Sequence, residues 1–485
     1  MKSLFVPSAI AALAIVAAAL QDDANLEYKS LHHRAPRPQA SGSTSSTTPV
    51  TLPPPSSANT GAPSTSVSPP LTSTPPPQST SYSFSLASTN PTAVPLSLIT
   101  ASQSSFPTLP LASTATVGAI PTFISGAPAL PNPATISPAN YPALDKPPPT
   151  DSALVQQWKE EVANSGVSIP DHAPTNPGGC LNNTAIASDP NRCWWTCTGC
   201  QDSKDITQCP DPLSWGLTYD DGPGYYTSNL LQYLDEKALK STFFVVGSRA
   251  ISFPATLQAQ YMGQHQIAVH TWSHPPLTTL SNDEIIAELG WTKKVIKDVL
   301  GVTPNMMRPP FGDIDNRVRA ISLAMGLTPV IWTRNAGSTF DTDDFNIHNG
   351  VTPVQKVLQN WQNILGSAST LDHGFIVLEH DLFQESVEVA TGYILPDALA
   401  HNPPFKIQPV VSCLGRSLGD GYIETNNNKT NPPPNVSAGG APAASDGDAT
   451  KSGAGRQNPL NFMVVSTLIV GVSGFALGLL AMLRV

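Results

Sequence analysis

The chain has 485 residues, of which 50 are proline and only 12% are charged, and its net charge is −10. This length and proline content exclude one continuous globular core, so part of the chain is expected to lie outside any folded domain. The acidic balance and the lack of a basic cluster exclude a nucleic-acid partner, which needs grouped Lys and Arg side chains.

The first segment, residues 1–20, combines Lys2 with an apolar run and ends in small residues. This pattern is typical of a secretory signal peptide. Within residues 21–140, the part from about residue 35 onward is dominated by Ser, Thr, Pro and Ala, with almost no charge and no steady periodicity. Such a segment cannot bury enough apolar surface to offset its ordering entropy. We expect a disordered stalk of the O-glycosylated type, with an unmodified flexible linker as the alternative.

All the cysteines lie between the ends of one expected folded region: Cys180, Cys193, Cys197, Cys200, Cys209 and Cys413. In the secretory route, disulfides are a better interpretation than a zinc knuckle. The spacing does not choose among the pairings, but a link from Cys413 back to Cys180 or to the cluster would tie the domain's ends together. We expect a cysteine-rich lead-in at residues 141–212 and the main domain at residues 213–425.

Strand-like and helix-like segments alternate through the main domain. Strands are predicted at 215–219, 242–246, 266–269, 329–332, 375–378 and 407–411, and helices at 230–239, 317–325, 353–365 and 385–399. A further helix begins at the capping box of Ser281 and Glu284 and ends at Gly301. Repeated β-α units predict a parallel sheet, and their number favours a closed or partly closed (β/α) barrel. In such barrels chemistry lies at the C-terminal ends of the strands.

Two carboxylates and two imidazoles follow predicted strands. Asp220 and Asp221 follow the first, and His270 and His274 follow the third. A lone His-x-x-x-His pair is weak evidence, but Pro275 disfavours a helix at His274 and so indicates a binding loop. One carboxylate with two imidazoles can complete a metal site that leaves positions open for water and substrate. The other carboxylate can then act as a general base.

Two more polar side chains are expected at the same end of the barrel. Arg308 can orient the base carboxylate through a bidentate contact, with a surface ion pair as the alternative. His380 can protonate a leaving group, with a structural histidine hydrogen-bonded to Asp381 as the alternative.

The last part of the chain carries a second targeting pattern. Residues 426–459 form a polar linker, and residues 460–485 are almost entirely apolar. Small residues, a polar spacer and an apolar tail are typical of a GPI-anchor signal, and a single transmembrane helix is the alternative. The candidate attachment residues are Ser445, Gly447 and Ser452. The acceptor sites for N-glycans are Asn182, Asn428 and Asn435.

Four ordered motifs are specific enough to indicate a family. They are TYDDGP at 218–223, HTWSHP at 270–275, RPPFGD at 308–313 and VLEHD at 377–381. In this order they resemble the motifs of the polysaccharide deacetylases of carbohydrate esterase family 4. With its cysteine cluster, stalk and tail, the chain is similar to fungal chitin deacetylases. The resemblance implies a distorted (β/α) barrel as the catalytic domain at 213–425, flanked by disordered Ser/Thr/Pro-rich segments.

The resemblance also implies roles for single residues. Asp221, His270 and His274 would hold one divalent metal, zinc first and cobalt as the alternative. Asp220 would be the general base, beside Arg308, and His380 the general acid. The substrate-binding residues would be Pro310, Phe311, Phe345 and Leu378. The Phe311 amide would be an oxyanion donor, Leu378 would line the pocket for the acetyl methyl, and Phe345 would be an aromatic wall where the family often has Trp. Asp344 would orient His380.

The implied activity is hydrolysis of N-acetyl groups of chitin, giving chitosan and acetate in fungal cell-wall remodelling. Partly deacetylated chitosan and chito-oligomers are the alternative substrates. A non-catalytic chitin-binding wall mannoprotein is the alternative from another class. We expect a secreted monomer, GPI-anchored to the plasma membrane, with transfer to the cell wall as a variant of that location.

Overall fold

The computed structural model describes residues 81–335 and 338–426. The predicted signal peptide at 1–20, the stalk up to residue 80 and the tail at 460–485 lie outside the described residues. So do nearly all of the polar linker and the candidate modification residues Asn428, Asn435, Ser445, Gly447 and Ser452. Among the residues that are described, no helix is both long enough and apolar enough to cross a membrane.

Short strands alternate with helices, as the sequence predicts. The strands are β1 (Ser214–Gly216), β2 (Thr218–Asp220), β3 (Thr242–Val245), β4 (Gln266–Val269), β5 (Met306–Met307), β6 (Thr328–Pro329), β7 (Arg334–Asn335), β8 (Ser338–Thr339), β9 (Phe375–Ile376) and β10 (Lys406–Gln408). The helices are α1 (Ala153–Asn164), α2 (Trp195–Thr198), α3 (Thr227–Glu236), α4 (Gly247–Ser252), α5 (Pro254–Met262), α6 (Asn282–Leu300), α7 (Asn316–Ala324), α8 (Val354–Ala368), α9 (Gln384–Val389), α10 (Leu395–Leu399) and α11 (Val410–Cys413). Single 3₁₀ turns at Pro310–Gly312 and Asp344–Ile347 fall in loops that carry predicted site residues.

The strands close into a distorted barrel, which confirms the predicted fold class. Strands β2 to β6 form one parallel sheet in that order, and β1 lies between β10 and β9 in a second parallel sheet. The N–H of Thr333 donates to the carbonyl of Ile376 at 3.0 Å and joins the β6 side to β9. The N–H of Asp220 donates to the carbonyl of Glu379 at 2.9 Å and joins β9 to β2. These two hydrogen bonds close β2, β3, β4, β5, β6 and β9 into a ring.

Helix α6 forms where its capping signals stand. Ser281 and Glu284 make the predicted capping box, and the helix ends at Gly301, whose φ of 81° suits glycine. Its buried face packs on the barrel. The residues of strands β2, β3 and β4 are all buried, because helices cover the outer side of a parallel barrel while side chains fill its interior.

Two predicted elements differ in detail. Helix 385–399 is α9 and α10 joined by a π-helical turn, because Pro396 has no N–H and the N–H of Leu395 reaches back to the carbonyl of Ala390. The predicted strand 407–411 stops after β10. The N–H groups of Val410 and Val411 instead bond to side chains of the neighbouring strands β3 and β4 and begin helix α11.

Residues 81–140, part of the predicted disordered stalk, pack along the outside of the barrel, and this corrects the stalk boundary. Ile99, Ile124 and Leu130 are buried there. The N–H of Phe106 donates to Gln384 at 3.2 Å and that of Leu109 to Asn229 at 2.9 Å. Side chains of the barrel helices thus supply hydrogen bonds and apolar contacts that composition alone does not reveal. The many prolines lose little entropy on ordering, since their φ is already fixed.

The lead-in is fastened to the barrel by disulfides, as expected. The pairs are Cys180–Cys197, Cys193–Cys200 and Cys209–Cys413. The third pair spans 204 residues and joins the entrance of β1 to helix α11, so it ties the two ends of the barrel together. Trp158 of α1 packs edge-on against Trp291 of α6 and holds the rest of the lead-in on the same side.

Candidate active site

Asp221, His270 and His274 converge on one point at the C-terminal ends of β2 and β4. Asp221 Oδ1 lies 3.2 Å from His270 Nε2 and 3.1 Å from His274 Nε2. The two Nε2 atoms are 3.2 Å apart. The three residues form the one His/Cys/Asp/Glu cluster within the described ranges whose ligand atoms lie close enough to hold a metal ion. All three predicted metal ligands therefore lie together.

The chemistry of this donor set fits a cation. His270 Nδ1 lies 2.7 Å from the carbonyl of Arg308, so Nδ1 carries the hydrogen and Nε2 presents a lone pair. Asp221 Oδ1 is buried and accepts no hydrogen bond. A bare carboxylate oxygen and a bare imidazole nitrogen thus face each other across the same small space. A divalent ion coordinated by both, together with His274, would satisfy them, and one carboxylate with two imidazoles is a common zinc set.

Asp220 is kept out of this cluster by Arg308. The guanidinium Nη1 donates to Asp220 Oδ1 at 2.8 Å and to Thr218 Oγ1 at 2.9 Å, and Nε reaches the carbonyl of Val330 at 3.3 Å. Arg308 is fully buried, which overturns the alternative of a surface ion pair. The contact differs from the predicted bidentate one, because Nη1 alone reaches the carboxylate. Nε bonds to the barrel wall, and Nη2 has no hydrogen-bond partner among the described residues.

His380 is paired with Asp344 from the loop before β9. His380 Nδ1 lies 2.8 Å from Asp344 Oδ1, and the His380 backbone N–H donates to Asp344 Oδ2 at 2.9 Å. Burial alone would lower the pKa of His380, but the Asp344 carboxylate outweighs it and holds the pKa well above its ordinary value. The pairing therefore favours the cationic form of the imidazole and leaves Nε2 without a hydrogen bond to Asp344.

Asp381 does not contact His380, so the alternative of a His380–Asp381 structural pair is wrong. Asp381 Oδ1 accepts the N–H of Gly222 at 3.0 Å and Oδ2 accepts the Thr227 hydroxyl at 2.7 Å. Burial raises the pKa of Asp381 to about 7. This carboxyl holds the loop after β2 against the loop after β9.

Apolar side chains lie on two sides of the polar residues. The ring of Phe311 lies 4.8 Å from that of His274, and the ring of Phe345 lies 5.1 Å from that of His380. Phe311 has a φ of 60°, which turns its backbone sharply after the buried Pro310. Leu378 is 3% exposed and lies two residues before His380 on the strand, so both side chains point to the same face.

Glu288 of helix α6 was not among the residues predicted from the sequence. It lies in the buried stripe of the helix, three residues after Ile285, and accepts hydrogen bonds from the loop that joins His270 to His274. A charged residue inside an otherwise apolar stripe was the signal that could have revealed it.

Asn182, a predicted glycan acceptor, is exposed on the lead-in.

Comparison with known proteins agrees with these features. The family model for polysaccharide deacetylases matches residues 207–330. Chitin deacetylase 1 of Cryptococcus neoformans var. grubii is 52% identical over 340 residues, which cover 69% of this chain and 71% of that protein. The chitin deacetylase of Amylomyces rouxii is 43% identical over 206 residues, covering 40% of this chain and 47% of that protein.

Among solved structures, the chitin deacetylase of Colletotrichum lindemuthianum matches 45% of this chain and 95% of its own, with 25% identity and a TM-score of 0.39. The sequence relationship to the Cryptococcus protein extends over most of both chains, well beyond the four motifs. The chain is a deacetylase and belongs to the polysaccharide deacetylases of carbohydrate esterase family 4, among the fungal chitin deacetylases.

Proposed function

We propose that this chain is a divalent-metal-dependent hydrolase that removes the acetyl groups of chitin, releasing acetate and leaving chitosan. The observation that carries the proposal is that two adjacent carboxylates face different partners. Asp221 faces the two histidines, whereas Asp220 faces Arg308. A hydrolase that uses both a metal and a separate proton acceptor needs this arrangement. The relatives named chitin deacetylases support chitin as the substrate.

Asp221, His270 and His274 would hold the metal, with one oxygen and two nitrogen atoms as ligands. This set suits zinc, with cobalt as the alternative, and it leaves at least one position open. When bound, such an ion lowers the pKa of a coordinated water and polarises the acetamide carbonyl.

Asp220 is the proton acceptor in the proposed reaction. Its carboxylate lies 3.8 Å from His270 Nε2, next to the ligand atoms but not among them. The buried guanidinium of Arg308 donates a charge-assisted hydrogen bond to the carboxylate and fixes its rotamer. As the water oxygen bonds to the acetamide carbon, its proton passes to Asp220.

His380 is the proton donor to the departing amine. Asp344 orients the ring through Nδ1, so the proton on Nε2 is the one transferred as the C–N bond breaks. The backbone N–H of Phe311 donates to the oxygen that becomes negative, and Leu378 packs against the acetyl methyl. The products are acetate and a free glucosamine nitrogen, and solvent returns Asp220 and His380 to their starting protonation states.

Acetate release tests this proposal. The substrates are N-acetylchitooligomers, polymeric chitin and partly deacetylated chitosan, each with chelator and with added zinc. Release that a chelator abolishes and zinc restores supports the reaction, and the relative rates rank the substrates. Wild-type protein that binds zinc but releases no acetate from any of the three contradicts it. Phe345 is then the first residue to replace, by Trp.

We also propose that the protein acts at the cell surface, secreted and held by a GPI anchor, in cell-wall remodelling. The apolar first segment and the small-residue, polar and apolar pattern of residues 426–485 support this. So do the three disulfides, which persist in oxidising compartments. Release of the protein from intact cells by a phosphatidylinositol-specific phospholipase C supports the anchor. Retention under that treatment favours a transmembrane helix.

A further inference from the structure

The loop that joins the two proposed ligand histidines has an unusual backbone. Three residues, Thr271 to Ser273, separate His270 from His274, and both Thr271 and His274 have positive φ values, 64° and 61°. Residues with a Cβ rarely adopt this conformation, and a β-branched residue such as Thr is a clear outlier. Such a backbone persists where its surroundings dictate it. Contacts outside the loop must therefore determine where the two imidazoles point.

One buried side chain supplies most of those contacts. Glu288 Oε2 accepts the backbone N–H of Trp272 at 2.7 Å and that of Ser273 at 2.8 Å. Glu288 Oε1 accepts the Ser273 hydroxyl at 2.5 Å. Glu288 has no exposed surface and lies in the middle of the long helix α6, so it gives the loop a rigid support.

The carboxylate is kept in this position without a cation. None of the ion pairs among residues 81–335 and 338–426 involves Glu288. Burial raises its pKa to about 7, although the loop hydrogen bonds work in the opposite direction. Burying a carboxyl group is costly unless hydrogen bonds compensate, so the three loop donors are its compensation. A helix that merely needed to pack on the barrel would carry an apolar residue at this point.

The indole of Trp272 gives the loop a second support. Trp272 Nε1 donates to the carbonyl of Ala143 at 3.1 Å, and its ring stacks on Tyr141 at 6.0 Å between centroids. These contacts fix the middle of the loop from the outer side, while Glu288 fixes its backbone from the helix.

We propose that Glu288 is a positioning residue for the metal centre: it holds the loop so that the Nε2 atoms of His270 and His274 face Asp221. This inference rests on the metal site proposed above. Residues that orient metal ligands typically change metal affinity by about 10- to 100-fold when they are replaced. Without Glu288 the domain would still fold around its other contacts, but the two imidazoles would be together for less of the time.

The test is the zinc dissociation constant of the metal-free protein, measured by competition with a chromogenic chelator. Glu288→Gln keeps the size of the side chain but removes its charge and leaves one acceptor oxygen where three donors converge. We expect it to weaken zinc binding by about 10- to 100-fold, with the circular dichroism spectrum unchanged. Glu284→Gln is the matched control: it makes the same replacement one turn earlier on α6, where the amide oxygen can still accept the Ser281 N–H of the capping box. It should leave both the Tm and the zinc affinity nearly unchanged.

Two results would overturn the inference. One is a wild-type zinc affinity in the Glu288→Gln protein. The other is an equal loss of affinity in the Glu284→Gln protein, which would reduce the effect to general helix stability. If Glu288→Gln fails to fold, Ser273→Ala removes only the hydroxyl contact; weaker zinc binding supports the inference and unchanged binding overturns it. If the wild-type protein does not bind zinc, the proposed metal site itself is contradicted. That result differs from equal zinc binding by the wild type and the variant, which contradicts only the role of Glu288.

Discussion

Arg308 Nη1 and Asp220 Oδ1 lie 2.8 Å apart, with both side chains almost completely buried. The backbone carbonyl of Arg308 also accepts the His270 Nδ1–H, at 2.7 Å. Arg308 therefore fixes the proposed base with its side chain and a proposed metal ligand with its main chain. The positive φ of Asp221, 77°, helps two sequence neighbours point to different partners.

This separation predicts distinct effects of replacing the two carboxylates. Asp220→Asn removes the proton acceptor but can still accept the Arg308 bond through its amide oxygen. We expect kcat for acetate release to fall by about 10²–10⁴-fold, with zinc content near that of the wild type. His274→Ala should lose zinc and activity together. Metal analysis and acetate assays on the same preparations check both, and an active, folded Asp220→Asn protein contradicts the assignment of the base.

The pairing of His380 with Asp344 predicts a shift of the pH profile. The Asp344 carboxylate holds the pKa of His380 well above its ordinary value, so the charged proton donor is lost at a higher pH than an isolated histidine would lose its proton. In Asp344→Asn the largest attraction is gone, and burial lowers the pKa of His380 against only the weaker attraction of Asp221 and Asp220. We expect the alkaline limb of kcat to move to lower pH, and kcat at neutral pH to fall by about 10²-fold or more. A variant with the wild-type alkaline limb would show that Asp344 does not set this protonation.

Much of this site follows from local patterns. Asp220 and His270 each come directly after a short apolar run, Asp221 and His274 follow them one and four residues later, and parallel strands bring these ends together. The partner of His380 does not follow from a local pattern. Asp344 was expected only through family resemblance, since nothing local connects two residues 36 positions apart.

Long-range packing explains what the sequence did not reveal. The contact of Glu288 with its loop depends on how α6 lies against the barrel. Residues 81–140 look disordered by composition, because the pockets that bury Ile99 and Leu130 are built by other parts of the chain. Composition reports how much apolar surface a segment carries, but not where the rest of the protein can receive it.

Packing of residues 81–140 on the barrel is testable with two adjacent residues. Ile99 is 1% exposed and Leu98 is 52% exposed. Ile99→Ala should lower the free energy of unfolding by about 2–4 kcal/mol, because it removes buried methyl groups and leaves a cavity. Leu98→Ala should change it by about 0.5 kcal/mol or less. Urea unfolding with equal m-values gives the comparison. Identical stabilities for the two variants would contradict the packing of this segment and favour the disordered stalk.

The disulfides predict a second contrast in stability that depends on loop length. Cys209–Cys413 closes 204 residues, whereas Cys193–Cys200 closes 7. If a cross-link acts mainly by restricting the unfolded chain, replacing the first pair by serines should cost about 5 kcal/mol and replacing the second about 2 kcal/mol. The long link also holds β1, and with it the strand that ends in Asp220, against helix α11. We therefore expect the Cys209→Ser/Cys413→Ser protein to have the lower Tm and to lose activity first on warming. Thermal unfolding and residual acetate release at each temperature measure both, and a lower Tm for the Cys193→Ser/Cys200→Ser protein would show that local strain, not chain entropy, governs these links.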